Sequence, residues 1–300
     1  MNTSADIDRL LEAFADPRVT DLVLNGYSQS MVLTPAGWQA TTAPVASDSQ
    51  LDELAIVLVS LANRHLDLAN PMADVTLGVA ELPRLGQLGL QSIRVHAVLG
   101  RTVAAQSLIS VRAHRARAEQ PLSEVLSGFQ GGRSFLSRLE EVAVSGGSFL
   151  ISGPPGSGKT TLLRALLGRL PQLRTVVIED TAELLPLSGH FIGLQARQAN
   201  TDGRGEIGIG QMLREALRMN PDRLVVGEVR GAEATVLVDA INLAGIGGAG
   251  TMHARLAGQA AGRLRALTGN ERALQVFDWH IHLERSSNSR AITAVERVAR

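Results

Sequence analysis

Residues Gly153 to Thr161 read Gly-Pro-Pro-Gly-Ser-Gly-Lys-Thr-Thr, after an apolar run, Phe149–Ser152, and before a helix-like run, Leu162–Leu167. A G-x-x-x-x-G-K-[ST] stretch in that strand-to-helix context is a phosphate-binding loop, and it commits its surroundings to an α/β arrangement. The loop formed by Gly153, Pro154, Pro155, Gly156, Ser157, Gly158, Lys159, Thr160 and Thr161 would wrap a polyphosphate with backbone N–H groups, and the helix N-terminus adds positive dipole. Lys159 is expected on the β/γ-phosphates of ATP, and the Thr160 hydroxyl on Mg²⁺. Of the 29 Lys and Arg residues, Lys159 is the only lysine. A compact ammonium suits a tight phosphate loop better than a planar guanidinium does.

Composition narrows the alternatives. Formal net charge is zero and aromatics make up 3% of residues, so neither a nucleic-acid surface nor a base-stacking platform is expected. The absence of cysteine excludes disulfides and thiolate metal sites and fits a reducing cytoplasm. No apolar run is long enough to span a bilayer, and the N-terminus lacks the layout of a secretory signal, so any membrane contact is expected through a docking partner. The one basic cluster, Arg112, His114, Arg115 and Arg117, reads as a solvated linker.

Along the chain, a helix over 6–15, strands at Val19–Leu24 and Ser30–Thr34, a helix over Leu51–Leu66 and strands at Val75–Val79, Gln91–Val98 and Ala104–Arg112 make a first α+β domain over 1–116. Residues 117–133, with Pro121 and several glycines, read as a linker carrying one short helix. From 134 to 300, helices alternate with strands at Phe149–Ser152, Arg174–Ile178, Phe191–Ala196, Leu224–Gly227, Gly250–His253, His280–Leu283 and Ala291–Val298. That alternation predicts a parallel sheet covered on both faces. A hairpin at Ser286–Ser289 joins the last two strands.

Three chemical features fall at strand ends. Ile178-Glu179-Asp180-Thr181-Ala182-Glu183-Leu184 puts three carboxylates in the βα unit after the loop, where ATP hydrolysis needs an acid for water and others for Mg²⁺. A helix N-terminus would explain Asp180 and Glu183 equally well. Leu224-Val225-Val226-Gly227-Glu228 has the Walker-B layout with Glu in place of the frequent Asp, and His253 closes Gly250-Thr251-Met252-His253. His253 is a candidate γ-phosphate contact, although a lone histidine is more often structural.

Taken in order, these boxes, together with Met212–Arg223 and Val229–Glu233, resemble the type II and type IV secretion ATPases, most closely the tight-adherence pilus and type IV secretion branch. The resemblance is strong over roughly 120–300 and fainter at Asp21–Gly26 and Ser92–Val98. It implies a RecA-like P-loop NTPase domain behind a smaller N-terminal α+β domain, and a cytoplasmic homo-hexameric ring at the inner face of the membrane, docked on a platform protein of a pilus or secretion system. It further implies Glu183 as the catalytic glutamate, Glu228 as the Walker-B acid, His253 as the histidine-box residue, and Arg94 and Arg112 as N-domain arginines for the transferring phosphoryl group. Asp180, Glu228 and Thr160 are the expected Mg²⁺ residues. Departures are the apolar Ala244–Ala249 stretch in place of a polar one, Asn220 in place of a frequent Arg, and Arg255 where Asn is usual. Two rival readings are a DNA-translocating RecA-like ATPase and a low-turnover ATP-binding ring component.

Overall fold

One antiparallel and one mostly parallel sheet organise the chain. The computed structural model describes all residues except 1–2, 116–118, 185–186, 198, 200–203, 287–288 and 300. Two compact units emerge, Met1–Arg117 with Ala199–Arg204, and Ala118–Gln198 with Gly205–Arg300.

The first unit contains α1 (Thr3–Glu12), β1 (Asp21–Asn25), β2 (Ser30–Thr34), β3 (Gly37–Ala40), α2 (Asp48–Leu61), β4 (Met72–Gly78), α3 (Arg84–Gln87), β5 (Leu90–Val98) and β6 (Leu108–Arg115). Its sheet runs β3-β2-β1-β6-β5-β4, antiparallel throughout. The period-2 alternation works as expected: Val75 and Leu77, Ile93 and Val95, Ile109 and Val111 are buried in one core with Leu10, Leu11, Leu54 and Leu58 of the helices. Burying each such side chain contributes roughly 1.5–3 kcal/mol before entropy is counted. Helix α2 is set by its start, where Ser47 Oγ accepts from Gln50 N at 3.3 Å and Gln50 Oε1 accepts from Ala46 N at 2.8 Å.

Several expectations shift here. Helix α2 ends at Leu61 rather than Leu66, because Asn63 turns into the left-handed region at φ 56°. Strand β6 runs to Arg115, so Arg112, His114 and Arg115 lie on a strand and not in a linker; Arg115 donates to Phe14 O at 2.6 Å and Leu88 O at 2.8 Å. Arg117 lies outside the described residues. Strand β3 has no counterpart in the sequence reading.

The second unit contains α4 (Leu122–Ser127), α5 (Leu136–Val144), β7 (Phe149–Gly153), α6 (Lys159–Leu167), β8 (Thr175–Glu179), β9 (Phe191–Gln195), α7 (Ile209–Ala216), β10 (Arg223–Val226), α8 (Glu233–Ala244), β11 (Gly247–His253), α9 (Gln259–Thr268), β12 (Trp279–Arg285) and β13 (Arg290–Arg297). The sheet order is β13-β12-β7-β11-β10-β8-β9, parallel except for the β12–β13 pair. Residues 287 and 288 of the expected hairpin lie outside the described residues. One face packs Phe149, Ile151, Val177 and Val225 against Leu126, Leu139 and Leu163. The other packs Leu150, Val176, Ile178 and Leu224 against Leu213, Leu237 and Leu264. Within the stretch expected as a linker, Leu122, Val125, Leu126 and Phe129 are instead part of the first of these cores.

Two glycines in the 244–249 stretch have a structural role. Gly245 ends α8 with φ 64°, and a Cβ on Gly248 would overlap the Ile241 side chain of that helix. Similarly, Asn220 takes φ 53°, a conformation that asparagine tolerates better than the frequent arginine. Gly248→Ala is expected to destabilise by about 1–3 kcal/mol, as overpacking does. Combined with Ile241→Ala in denaturant unfolding, it should cost less than the two single changes added together. Strict additivity would contradict this contact.

Candidate functional site

The parallel sheet delivers four loops to one edge, because β7, β8, β10 and β11 all point their C-terminal ends the same way. Strand β7 enters the phosphate loop, and α6 begins at Lys159 behind Gly158 at φ 93°. A Cβ on Gly158 would sit 2.8 Å from the Phe129 ring, so only glycine lets the loop turn there. The Lys159 side chain is mostly buried, and its ammonium donates to Gly153 O at 3.0 Å and Pro154 O at 2.9 Å. Burial lowers its pKa, opposed by the charge of Glu228.

His253 pairs across the ladder with Gly153, which puts its ring beside the loop. Its Nδ1 lies 3.3 Å from Lys159 Nζ, and its Nε2 lies 2.5 Å from Glu228 Oε1. An ammonium can only donate, so Nδ1 is the acceptor toward Lys159, while Glu228 Oε1 is buried close to Nε2 without a hydrogen bond of its own. Burial, with Lys159 adding to it, lowers the His253 pKa against the pull of Glu228, consistent with a neutral ring. Glu228 Oε2 in turn lies 2.8 Å from Arg230 Nε, and Arg230 reaches Asp180 Oδ2 at 2.5 Å. A continuous chain of alternating groups therefore runs Lys159–His253–Glu228–Arg230–Asp180.

Glu183 is exposed in the loop after β8, and Thr160 and Thr161 are half-buried on the first turn of α6. Ser157 Oγ is buried without a partner, the one orphaned hydroxyl of the loop. Arg94 and Arg112 belong to the first unit. They face each other across β5–β6, and each is matched to its own carboxylate: Arg94 Nε to Asp74 Oδ1 at 2.9 Å, Arg112 Nε to Asp21 Oδ1 at 2.8 Å.

A family model described as Type II/IV secretion system protein matches residues 132–281. The chain belongs to that family. A Mycobacterium tuberculosis protein named for conjugal transfer is 37% identical over 249 residues, 83% of this chain and 69% of its own length. The type IV secretion system protein VirB11 of Bartonella quintana is 28% identical over 267 residues, 81% of this chain and 74% of that protein. Among solved structures, the Legionella pneumophila ATPase DotB gives a TM-score of 0.65 at 19% identity, over 95% of this chain and 78% of that one. The pilus retraction motor PilT with bound ADP also gives 0.65, at 18% identity, over 97% and 82%. These two likenesses bear on the fold, which is RecA-like.

Two features of this family member escape the sequence reading. Ser152 Oγ lies 2.7 Å from both His280 Nε2 and His282 Nδ1, a buried polar trio beneath the loop, in which burial brings the His280 pKa down to about 4. The His-x-His alternation on β12 puts both rings on one face, which is the signal available in the sequence. Glu179 is the second. It is only 6% exposed, and its carboxylate accepts from Glu183 N and Leu184 N, each at 3.2 Å to Oε1.

The Glu179 pKa is raised to about 7, chiefly by burial and further by Glu183, against the two backbone bonds and Arg164. A folded-state value above the ordinary 4.5 means that this group's contribution to stability is complete below about pH 4.5 and is lost as pH rises to about 7, a change of about 3 kcal/mol. Glu179→Gln removes that titration. The melting temperature of the variant minus that of the parent should therefore rise by roughly 5 °C between about pH 5 and pH 8. A difference that stays flat with pH would contradict the raised value.

Proposed function

We propose that the chain is a Mg²⁺-dependent ATPase that powers a pilus or secretion machine of the type IV kind. The observation that carries this reading is the chain from Lys159 through His253, Glu228 and Arg230 to Asp180, assembled beside the phosphate loop at the sheet's C-terminal edge. The family model and the ADP held by PilT support it.

The residues present fit both groups. Gly156 and Gly158 at φ 70° and 93°, the buried Ser157 hydroxyl and the α6 N-terminus form a cradle for a polyphosphate. For the cation, the Thr160 hydroxyl and the Glu228 and Asp180 carboxylates are hard oxygen donors. Among the described residues no group of three or more His, Cys, Asp or Glu side chains builds a metal cage, which suits Mg²⁺ shared with substrate phosphates. When bound, Mg²⁺ neutralises charge on the β- and γ-phosphates.

Within that site, Lys159 exchanges its carbonyl partners for phosphate oxygens. Glu183, exposed in the loop after β8, orients or deprotonates the attacking water. His253, set between Lys159 and Glu228, reports through them whether the γ-phosphate is present. Arg94 and Arg112, neighbours across β5–β6 of the first unit, keep the role that the family resemblance gives them, cationic charge for a transferring phosphoryl group. In this reading the protein is a cytoplasmic homo-hexamer docked on an inner-membrane platform protein.

Lys159→Ala and Glu183→Gln should each lower phosphate release by at least about 100-fold. Only Glu183→Gln should keep ATP affinity near that of the parent, read by equilibrium nucleotide binding. Full turnover by Glu183→Gln would remove it from the catalytic role. Native mass measurement with a non-hydrolysable nucleotide should give a hexamer, and a stable monomer there would undercut the motor.

A further inference from the structure

We infer that Glu179 is a positioning residue for Glu183: its buried carboxylate fixes the backbone from which the catalytic side chain projects. The inference rests on the reading that Glu183 is catalytic. Both Glu179 oxygens accept from both of the next anchored N–H groups, at 3.2 Å to Glu183 N and at 3.2 and 3.3 Å to Leu184 N. Leu184 is pinned three ways. Its N–H goes to Glu179, its carbonyl accepts from Arg164 Nη1 at 2.5 Å, and its side chain is fully buried in the core. Arg164 is itself buried on α6, the helix that begins with Lys159 and Thr160, so the acidic loop is tied directly to the phosphate-loop helix.

The far side of Glu179 is equally constrained. A Cβ on Gly227 would lie 2.9 Å from Glu179 Cγ, so the glycine before Glu228 lets the two acidic segments approach. Gly227 N donates to Ile178 O at 2.9 Å, and its carbonyl accepts from Thr251 Oγ1 at 2.6 Å. Glu179 therefore stands between the loop that carries Glu183 and the turn that carries Glu228, at the centre of a packed bracket.

A buried carboxylate is destabilising in itself unless it is hydrogen-bonded. A residue in that position that serves only the fold is better supplied by an apolar side chain of similar size. What an apolar residue cannot do is accept from two consecutive backbone N–H groups. Arg164 from below and Gly227 from beside complete the mount, and a misplacement of about 1 Å in a catalytic group costs on the order of 100-fold in rate.

The test is steady-state kinetics on the full chain, with affinity measured separately for an ATP analogue whose β–γ bridge is NH. Glu179→Ala should lower kcat by about 100-fold while analogue affinity stays within about threefold of the parent. Glu179→Gln keeps one acceptor oxygen and should fall between, about tenfold down in kcat, and it carries the test if the alanine variant does not fold. In a Glu183→Gln background, adding Glu179→Ala should leave the residual rate unchanged within about twofold, because the group it positions is already lost. Three results would overturn the inference: a folded Glu179→Ala with kcat near the parent value, affinity falling in step with kcat, or a further large loss in the Glu183→Gln background. If Glu183→Gln itself turns over normally, the catalytic reading fails first. If Glu183→Gln is inactive and Glu179→Ala is not, only the positioning role fails.

Discussion

A lysine ammonium taken largely out of water has to be answered by nearby acceptors, and the arrangement of the second unit follows from how Lys159 is answered. Its charge is met by Gly153 and Pro154 carbonyls, then by His253, then by Glu228. Those partners come from three different parts of the chain and meet only because β7, β11 and β10 are adjacent and parallel. Burial pulls the Lys159 pKa down while Glu228 pushes it up, so the two are energetically linked although His253 lies between them. A polyphosphate entering the loop competes for the same ammonium. It would therefore be felt along the line to Arg230 and Asp180.

The scaffold keeps this chain of contacts in place by asymmetry of packing. Strands β7, β8 and β10 are buried along their length and carry no catalytic side chain before their last residue. The chemistry begins where the strands stop. Glu179 is the exception that stays inside, at the end of β8, and its cost is offset by backbone donors and by the neighbouring Arg164. The small-residue run in β11 belongs to the same logic: Gly248 and Gly250 let α8 and Val226 come close, which keeps His253 at its place beside Gly153.

Much of this was legible from residue types. The phosphate loop declares itself by spacing, and β2 falls at Ser30–Thr34, where the turn at Asn25-Gly26 puts the antiparallel partner of β1. Strand β3 was not legible, since Trp38, Gln39 and Ala40 are all exposed and only pairing with β2 defines the strand. The basic cluster misled because Arg112, His114 and Arg115 outnumber the inward-facing Val111 and Ala113 that make β6 a strand. In the acidic box the sequence offers three carboxylates with equal claims. Which one is buried is decided by Gly227 and Arg164, residues distant in the chain, so Glu179 could not be separated from Asp180 and Glu183 by local pattern. Likewise nothing local says that His253 touches Lys159; strand order decides it.

In our proposal Lys159 serves a bound nucleotide. As the only lysine in the chain, with a pKa lowered by burial, it can be followed individually with an amine-reactive reagent, once peptide mapping has separated it from the terminal amine. The Lys159 peptide should be modified in the free protein, and saturating Mg-ATP should suppress the modification. Labelling of Lys159 at the same rate with and without saturating Mg-ATP would contradict it.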